Sequence, residues 1–241
     1  SDVYKRQGAR WVRKFTDEAT NLYAAYPIVA YDSAEAVAVI KIFMGDHAYL
    51  LPPGATYSIM RTDGASILRA TVVRDLFDGE LITAEASMPR VPQQMGQNES
   101  AGRWVVRSAN AMRGRARAGG MPCGPEYAVL AIQHACEVHN RAFSKTWRGM
   151  TCPIQLATGD QPDLSNLHIF GAAAWSRLTT QERADKLSEN GIKGQYVGLA
   201  RGYSGSKLLI RDPATLQQAK LGNKPAAVSY THLTLPTKST V

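Results

Sequence analysis

The chain has 241 residues, of which 44% are hydrophobic and 20% are charged, a composition that can bury a core and that excludes a disordered chain. The formal charge of +8 favours a polyanionic partner such as nucleic acid. Three cysteines without a Cys-x-x-Cys pair exclude a disulfide framework, and no apolar run reaches the roughly 18 to 20 residues that span a bilayer. We therefore expect a soluble, intracellular protein.

The two ends of the chain differ from its interior. Residues 1–7 (SDVYKRQ) and 228–241 (VSYTHLTLPTKSTV) are similar to translated sequencing-adapter tails. Such segments do not belong to a fold, so we exclude both from the predicted domains. We expect the chain to be a piece of a longer reading frame with neither natural terminus.

The first third of the chain predicts two adjacent strands and a helix. The segment predicts strands over residues 11–16 and 22–30 joined by an Asp-Glu-Ala-Thr connection, which places Asp17 at a strand end. Asp32 and Ser33 are good N-cap residues, and helix formers follow them to Phe43.

The next elements alternate between strand and helix. After a Pro/Gly loop, a strand over residues 57–61 leads into an Asp63-Gly64 turn, so Asp63 also lies at a strand end. The pattern then predicts a helix over residues 67–77, a strand over 81–87 and an irregular loop with two prolines.

Helices dominate the middle of the chain. We predict one from Glu99 to about Ala118, one over residues 126–141 and a short one entered at Pro153. Beyond a linker at residues 160–166 the pattern changes to short β-like pieces separated by Gly, Ser and Asp. This change predicts a domain boundary.

Three acidic residues occupy positions suited to metal chemistry. Asp17 and Asp63 follow strands and Glu99 begins a helix, so all three can meet at the edge of a mixed sheet. Carboxylates that converge repel one another unless divalent cations lie between them, and a pair of Mg²⁺ or Mn²⁺ ions supports in-line phosphoryl transfer. Taken singly, the two aspartates also suit turns, and the glutamate suits a helix N-terminus.

Several segments together resemble a known family. "FTDEATNLYAAYPI", "RTDGAS", the thirty-five residues between Asp63 and Glu99, and "PQQMGQNE" resemble the Asp, Asp-35-Glu catalytic core of retroviral and retrotransposon integrases. "NRAFSKTWRGMTCPIQLATGDQPDLSNLHIFGAAAW" and "GIKGQYVGLARGYSGSKLLIRDPATL" are similar to copia-type LTR retrotransposons in particular. The resemblance covers about residues 9–217.

The resemblance implies a fold and a reaction. The implied fold is an α/β, ribonuclease H-like core over residues 8–159, followed by a small SH3-like β-barrel over residues 167–220. The implied activity is that of a polynucleotidyl transferase from a pol polyprotein, which joins the 3′ ends of element DNA to target DNA. Asp17, Asp63 and Glu99 would be the catalytic residues and the ligands of a two-metal Mg²⁺ or Mn²⁺ site.

The resemblance also implies partners and a location. The partner would be DNA, both the element ends and the target, bound by a homo-oligomer without a membrane or a small-molecule substrate. The location would be the nucleus or a virus-like particle.

The chain departs from the family pattern at the glutamate. Met95 stands where the family usually has asparagine. A competing alignment sets "QNESAGR" on the family's "QNGVAER", which places Gly102 in the catalytic position and implies an inactive enzyme. Pro92, Gly96 and the thirty-five-residue gap favour Glu99. The alternatives are a catalytically inactive DNA-binding remnant, a domesticated integrase-like protein, or a metal-dependent nuclease with the same carboxylates.

Five arginines follow Glu99 with no acidic residue among them: Arg103, Arg107, Arg113, Arg115 and Arg117. Such a run is usually a solvated face. Its position directly after the candidate catalytic residue favours contacts with DNA phosphates.

The segment "HACEVH", with His134, Cys136 and His139, fits no standard zinc spacing. We expect these three side chains to pack in the core of the protein.

Overall fold

The computed structural model describes residues 11–51, 55–62, 70–86, 96–121, 123–124, 127–146, 149–177, 191–199 and 206–209. The predicted tails, Asp63 and Met95 lie outside these residues. No helix within the described ranges is long and apolar enough to cross a membrane.

The chain divides into two compact units. The first consists of Ser1–Arg107 with Ala135–Pro162, and the second of Ser108–His134 with Asp163–Val241. The division into a core over residues 8–159 and a barrel over 167–220 stays a prediction.

A β-hairpin opens the first unit. Strand β1 (Trp11–Thr16) runs antiparallel to β2 (Tyr23–Ile28), with Thr16 opposite Tyr23. The prediction of β1 is confirmed with its bounds, and β2 is shorter than predicted. Asn21, just before β2, has a left-handed φ of 61°, a conformation that asparagine tolerates better than most residues.

Helix α1 (Ser33–His47) packs on the hairpin. The predicted cap is confirmed, because the Asp32 carboxylate accepts the Glu35 amide at 2.8 Å. The helix runs four residues beyond Phe43, and a 3₁₀ turn (Ala48–Leu50) follows it. Phe43 stacks on Phe15 of β1 with ring centroids 4.3 Å apart, which joins the helix to the sheet.

A strand, helix and strand follow in parallel arrangement. Strand β3 (Ile59–Thr62) pairs in parallel with β4 (Thr83–Ala86), and helix α2 (Thr71–Gly79) connects them. The helix buries Val73, Leu76 and Phe77, which share a core cluster with Ala36 and Ile40 of α1. The observed range of each of the three elements overlaps the predicted one.

The middle of the chain forms two long helices. Helix α3 (Gly96–Ala118) begins three residues before the predicted start, and helix α4 (Ala128–Arg141) ends as predicted. The side of α3 that carries Ala101, Val105 and Ala109 is buried. These residues recur at four-residue spacing, which is the apolar stripe expected of a helix on a core.

The first unit ends with short elements. Strands β5 (Ser144–Thr146) and β6 (Gly149–Thr151) form a small antiparallel hairpin that the sequence did not predict. Helix α5 (Pro153–Thr158) is entered at Pro153 as predicted and ends at Gly159, which has the left-handed φ of 83° typical of a helix C-terminus.

The described strands of the second unit form one antiparallel sheet. It consists of β7 (Ala173–Arg177), β8 (Gly191–Leu199) and β9 (Ser206–Leu209), in that order. Each strand lies within a predicted β-like piece. Gly171 has a φ of 82°, and a Cβ there would lie 2.6 Å from the Cβ of Ala116, so only glycine fits.

The described elements confirm a mixed α/β fold. The first unit contains one antiparallel and one parallel strand pair with helices packed on them, and the second contains a three-stranded sheet. The SH3-like barrel stays a prediction.

Asn140 of α4 holds strand β2 through the backbone of one residue. Its side-chain nitrogen donates to the Tyr23 carbonyl at 2.7 Å, and its side-chain oxygen accepts the Tyr23 amide at 2.8 Å. Asn140 is only 5% exposed, so water does not compete for these bonds. The Asn140 amide thus satisfies both backbone groups of Tyr23, as a residue of a neighbouring strand would.

Asn140→Ala should lower the free energy of unfolding by about 3 kcal/mol, because it leaves a buried amide and a buried carbonyl without partners. Chemical denaturation monitored by circular dichroism measures the change. Asn110→Ala removes an exposed asparagine of α3 and should cost less than about 0.5 kcal/mol. Equal effects of the two substitutions would contradict the role of Asn140.

Candidate active site

A cavity of about 890 Å³ lies in the first unit along two of its strands. Residues of β1, of β3 and of the first turn of α3 line it. The polar residues in its wall include Lys14, Thr16, Asp17, Thr62 and Asn98. The cavity is therefore where the three sequence segments that carry the candidate carboxylates meet.

Asp17 lies directly after β1 and closes the hairpin turn. Its Oδ2 accepts the amide of Thr20 at 2.9 Å and the hydroxyl of the same threonine. Within the described part of the chain, both hydrogen bonds to this carboxylate end on Oδ2. A carboxylate that stabilises a turn with one oxygen can ligate a divalent cation with the other, since monodentate ligation is common.

Asp63 lies outside the described residues. It directly follows Thr62, the last residue of β3, and Thr62 lines the cavity. Its place beside Asp17 stays a prediction.

The first turn of α3 is attached to β1 and to the hairpin turn. The hydroxyl of Thr16 donates to Oδ1 of Asn98 at 3.1 Å, and the Lys14 ammonium donates to the Asn98 carbonyl. The side chain of Gln97 donates to Oδ1 of Asn21 at 3.2 Å. The helix start is thus fixed against the strand that ends at Asp17.

Glu99 follows Asn98 and is exposed. Among the described residues, Gln97 and Asn98 line the cavity and Glu99 does not. The structure brings Asp17 and the first turn of α3 together, but it leaves the Glu99 carboxylate at the surface beside the cavity wall.

Gly102 lies one helical turn after Asn98 and faces β1. A Cβ at this position would lie 3.3 Å from the Lys14 ammonium nitrogen. This close approach gives Gly102 a packing role that does not depend on catalysis.

In the described ranges no three His, Cys, Asp or Glu side chains form a group that could hold a metal ion. Two of the three predicted ligands, Asp17 and Glu99, lie in these ranges, and Asp63 does not. The predicted donor set consists of carboxylate oxygens, which suit Mg²⁺ or Mn²⁺ better than zinc.

The five arginines of α3 differ in their surroundings. In the first unit, Arg103 and Arg107 are exposed and lie one helical turn apart. In the second unit, Arg115 and Arg117 are exposed, whereas Arg113 donates to the Gly124 carbonyl at 2.7 Å. Arg113 therefore holds the chain that follows α3, and phosphate contacts by the five arginines stay a prediction.

Two cations in the cavity wall have different environments. Arg61 contacts Glu85 at 2.9 Å and Glu18 at 2.7 Å, and the pKa of Arg61 is raised by the hydrogen bond to Glu85 and by the charge of Glu18. Burial instead lowers the pKa of Lys14 to about 8, an effect that the negative charge of a Cys136 thiolate would oppose. Arg61 is neutralised by two acidic neighbours, whereas no acidic side chain in the described ranges forms an ion pair with Lys14.

The hydroxyl of Tyr57, which also lines the cavity, is buried. Within the described part of the chain it has no hydrogen-bond partner. Burial, with a smaller effect from the charge of Asp17, raises the pKa of Tyr57 to about 12.

Tyr57→Phe should raise the free energy of unfolding by about 1 kcal/mol, because it removes a buried polar group that has no partner. Thermal or urea unfolding measures the shift. Tyr26→Phe is the matched control, since the Tyr26 hydroxyl donates to Asp46 at 3.1 Å and its loss should destabilise the protein. Destabilisation by Tyr57→Phe would show that the hydroxyl has a partner.

His139 and Cys136 of α4 contribute to packing in the first unit. The His139 ring stacks on Tyr23 with centroids 3.8 Å apart, and its Nε2 lies 3.0 Å from the Asn21 carbonyl oxygen. Burial lowers the pKa of His139 and raises the pKa of the Cys136 thiol to about 12. Trp104 of α3 contacts the His139 ring and remains 40% exposed.

In the second unit His134 is buried, and its ring packs on Phe170 and Tyr196. This packing agrees with the core position expected for His134.

Sequence reasoning missed Lys14, Thr16 and Asn98. Lys14 and Thr16 are separated by one residue, so they lie on the same side of β1. This spacing was the signal in the sequence that could have placed both side chains in one wall. Their contact with Asn98 could not be anticipated from spacing.

The described residues define a mixed α/β protein with a cavity along two of its strands, and the wall of this cavity contains several polar side chains. A comparison with protein-family models finds no match, and a comparison with curated proteins finds none.

Comparison with solved structures finds matching chains. The chain is similar to the catalytic core domain of BIV integrase, with 17% identity and a TM-score of 0.47 over 61% of this chain and 85% of that one. It is also similar to a chain of the simian T-cell lymphotropic virus intasome in complex with PP2A regulatory subunit B56 gamma, with 13% identity and a TM-score of 0.49 over 83% of this chain and 69% of that one. Neither similarity assigns a function to this chain.

Proposed function

We propose that the chain is the integrase fragment of a copia-type retrotransposon polyprotein and that it catalyses metal-dependent DNA strand transfer. The observation that carries the proposal is the order and spacing of Asp17, Asp63 and Glu99. The cavity supports it, since its wall contains Asp17 itself and the residues next to the other two, Thr62 and Asn98.

The carboxylates have separate roles in this proposal. Asp17 and Asp63 would hold a pair of Mg²⁺ or Mn²⁺ ions, with Glu99 as a further ligand. Such ions would supply the positive charge that lowers the pKa of an attacking 3′-hydroxyl and stabilises a leaving oxygen. Asp17 can take this role while its Oδ2 continues to hold Thr20.

The exposed arginines bind the DNA backbone in this proposal. Arg103 and Arg107 contact phosphates near the cavity, and Arg115 and Arg117 contact others. Such contacts carry little sequence information, so binding should weaken steeply with salt.

The sequence resemblance supports the remaining parts of the proposal. They are a ribonuclease H-like arrangement of the core, an SH3-like barrel over residues 167–220, and assembly of a homo-oligomer on element and target DNA. The location would be the nucleus or a virus-like particle.

One structural observation favours a second candidate, a catalytically inactive or domesticated DNA-binding remnant. Glu99 is exposed and, among the described residues, is not part of the cavity wall. Met95, in place of the family's usual asparagine, favours the same candidate.

A joining assay separates the two candidates. The chain is incubated with plasmid DNA and a short labelled duplex that carries free 3′-hydroxyls, in Mg²⁺, in Mn²⁺ or in EDTA. Transfer of the label to the plasmid only with a divalent metal supports the integrase. Salt-sensitive DNA binding without joining supports the remnant, and the absence of both overturns the proposal.

A further inference from the structure

Lys14 has an unusual position in the cavity wall. It lies on β1 on the same side as Thr16 and three residues before Asp17. It lines the cavity, and its ammonium donates to the Asn98 carbonyl in the first turn of α3. One of its three N–H donors is therefore used by the protein.

No carboxylate within the described ranges lies within 4.0 Å of this ammonium, whereas Arg61 in the same wall contacts two. A half-buried cation without a counter-charge costs free energy. Burial lowers the pKa of Lys14 to about 8, so the side chain stays mostly protonated at neutral pH. Because no acidic group among the described residues offsets this charge, the site favours an anion from outside the protein.

The neighbouring helix leaves room for this cation. Gly102 faces Lys14, and any Cβ at that position would come within 3.3 Å of the ammonium nitrogen. A side chain at position 102 would require the ammonium to shift by a few tenths of an ångström.

We propose that Lys14 binds a phosphate group of DNA in this cavity. The inference rests on the proposed function, because it takes DNA to be the molecule that enters. Lys14 lies about 10 Å along the strand from Asp17, so it contacts a phosphate beside the reacting one. Lys14 is thus a residue that positions the DNA and does not touch the reacting atoms.

The salt dependence of DNA binding tests the inference without catalysis. The affinity of the whole chain for a labelled duplex is measured by fluorescence anisotropy in EDTA across a series of salt concentrations. Lys14→Met should weaken binding and reduce the slope of log K against log salt by about 0.9, the change expected for one phosphate contact. Lys14→Arg should retain the wild-type slope.

Lys41→Met is the matched control, since Lys41 is an exposed lysine of α1. It removes the same charge and should leave the slope unchanged. Thermal unfolding of all three variants verifies that each is folded.

Several outcomes would overturn the inference while the proposed function stands. They are an unchanged slope for Lys14→Met, an equal change for Lys41→Met, or the same loss for Lys14→Arg as for Lys14→Met. If the wild-type chain shows no salt-dependent binding to DNA, the proposed function fails together with the inference.

Discussion

Asp17→Asn is expected to reduce metal-dependent joining by about a thousandfold while the protein stays folded. A bound divalent ion supplies several kcal/mol of transition-state stabilisation, and about 1.4 kcal/mol corresponds to a tenfold change in rate. Asparagine retains an oxygen that can accept the Thr20 amide, so the turn should survive the substitution. If Asp17 only stabilises the turn, the same substitution should leave any activity intact.

Glu18→Gln is the matched control for Asp17→Asn. Glu18 is the next carboxylate along the chain, but it is exposed and pairs with Arg61 at 2.7 Å. Its substitution should leave the joining rate within about twofold of wild type, because exposed ion pairs contribute little. Equal losses for both substitutions would show that the assay responds to local charge and not to a metal ligand.

Glu99→Gln is the second substitution that should strongly reduce the rate of joining. Glutamine has nearly the same shape and helix propensity, so α3 should persist and DNA binding in EDTA should not weaken. Joining should fall by about a thousandfold, again because a metal ligand is lost. Initial rates of plasmid labelling in Mn²⁺ and in Mg²⁺ measure the effect.

Gly102 provides the contrasting experiment for Glu99. If Gly102 occupied the catalytic position, the natural chain would be inactive and Gly102→Glu would restore joining. In the structure a Cβ at position 102 would lie 3.3 Å from the Lys14 ammonium nitrogen. We therefore expect Gly102→Glu to disturb the start of α3 and to restore no activity.

The extent to which secondary structure followed from the sequence depends on how strongly each segment is patterned. Strand β1 is rich in strand-forming residues and is followed by turn residues, and α1 has a capping aspartate and a run of helix formers, so these elements lie where they were predicted. The hairpin of β5 and β6 was missed because three-residue strands are too short to show a period of two. Helix α2 begins four residues after its predicted start, at Thr71.

Trp104 shows why burial is harder to predict than secondary structure. Trp104 precedes Val105 in α3, and the Val105 side chain is buried. The Trp104 ring is 40% exposed and contacts the rings of Tyr23 and His139 at a steep angle. Helical spacing gives the angle between two side chains. It does not give the direction from which the rest of the protein covers the helix.

The sequence by itself determined the mixed α/β class, the places of most helices and strands, and the identity and spacing of the candidate carboxylates. These properties depend on residues close together in the chain or on counting along it. The tertiary structure alone decided that Asn98 meets Lys14 and Thr16, and that Asn140 holds Tyr23, across separations of 84, 82 and 117 residues. No local periodicity encodes such contacts, because they arise only when separately formed elements pack and satisfy each other's buried polar groups.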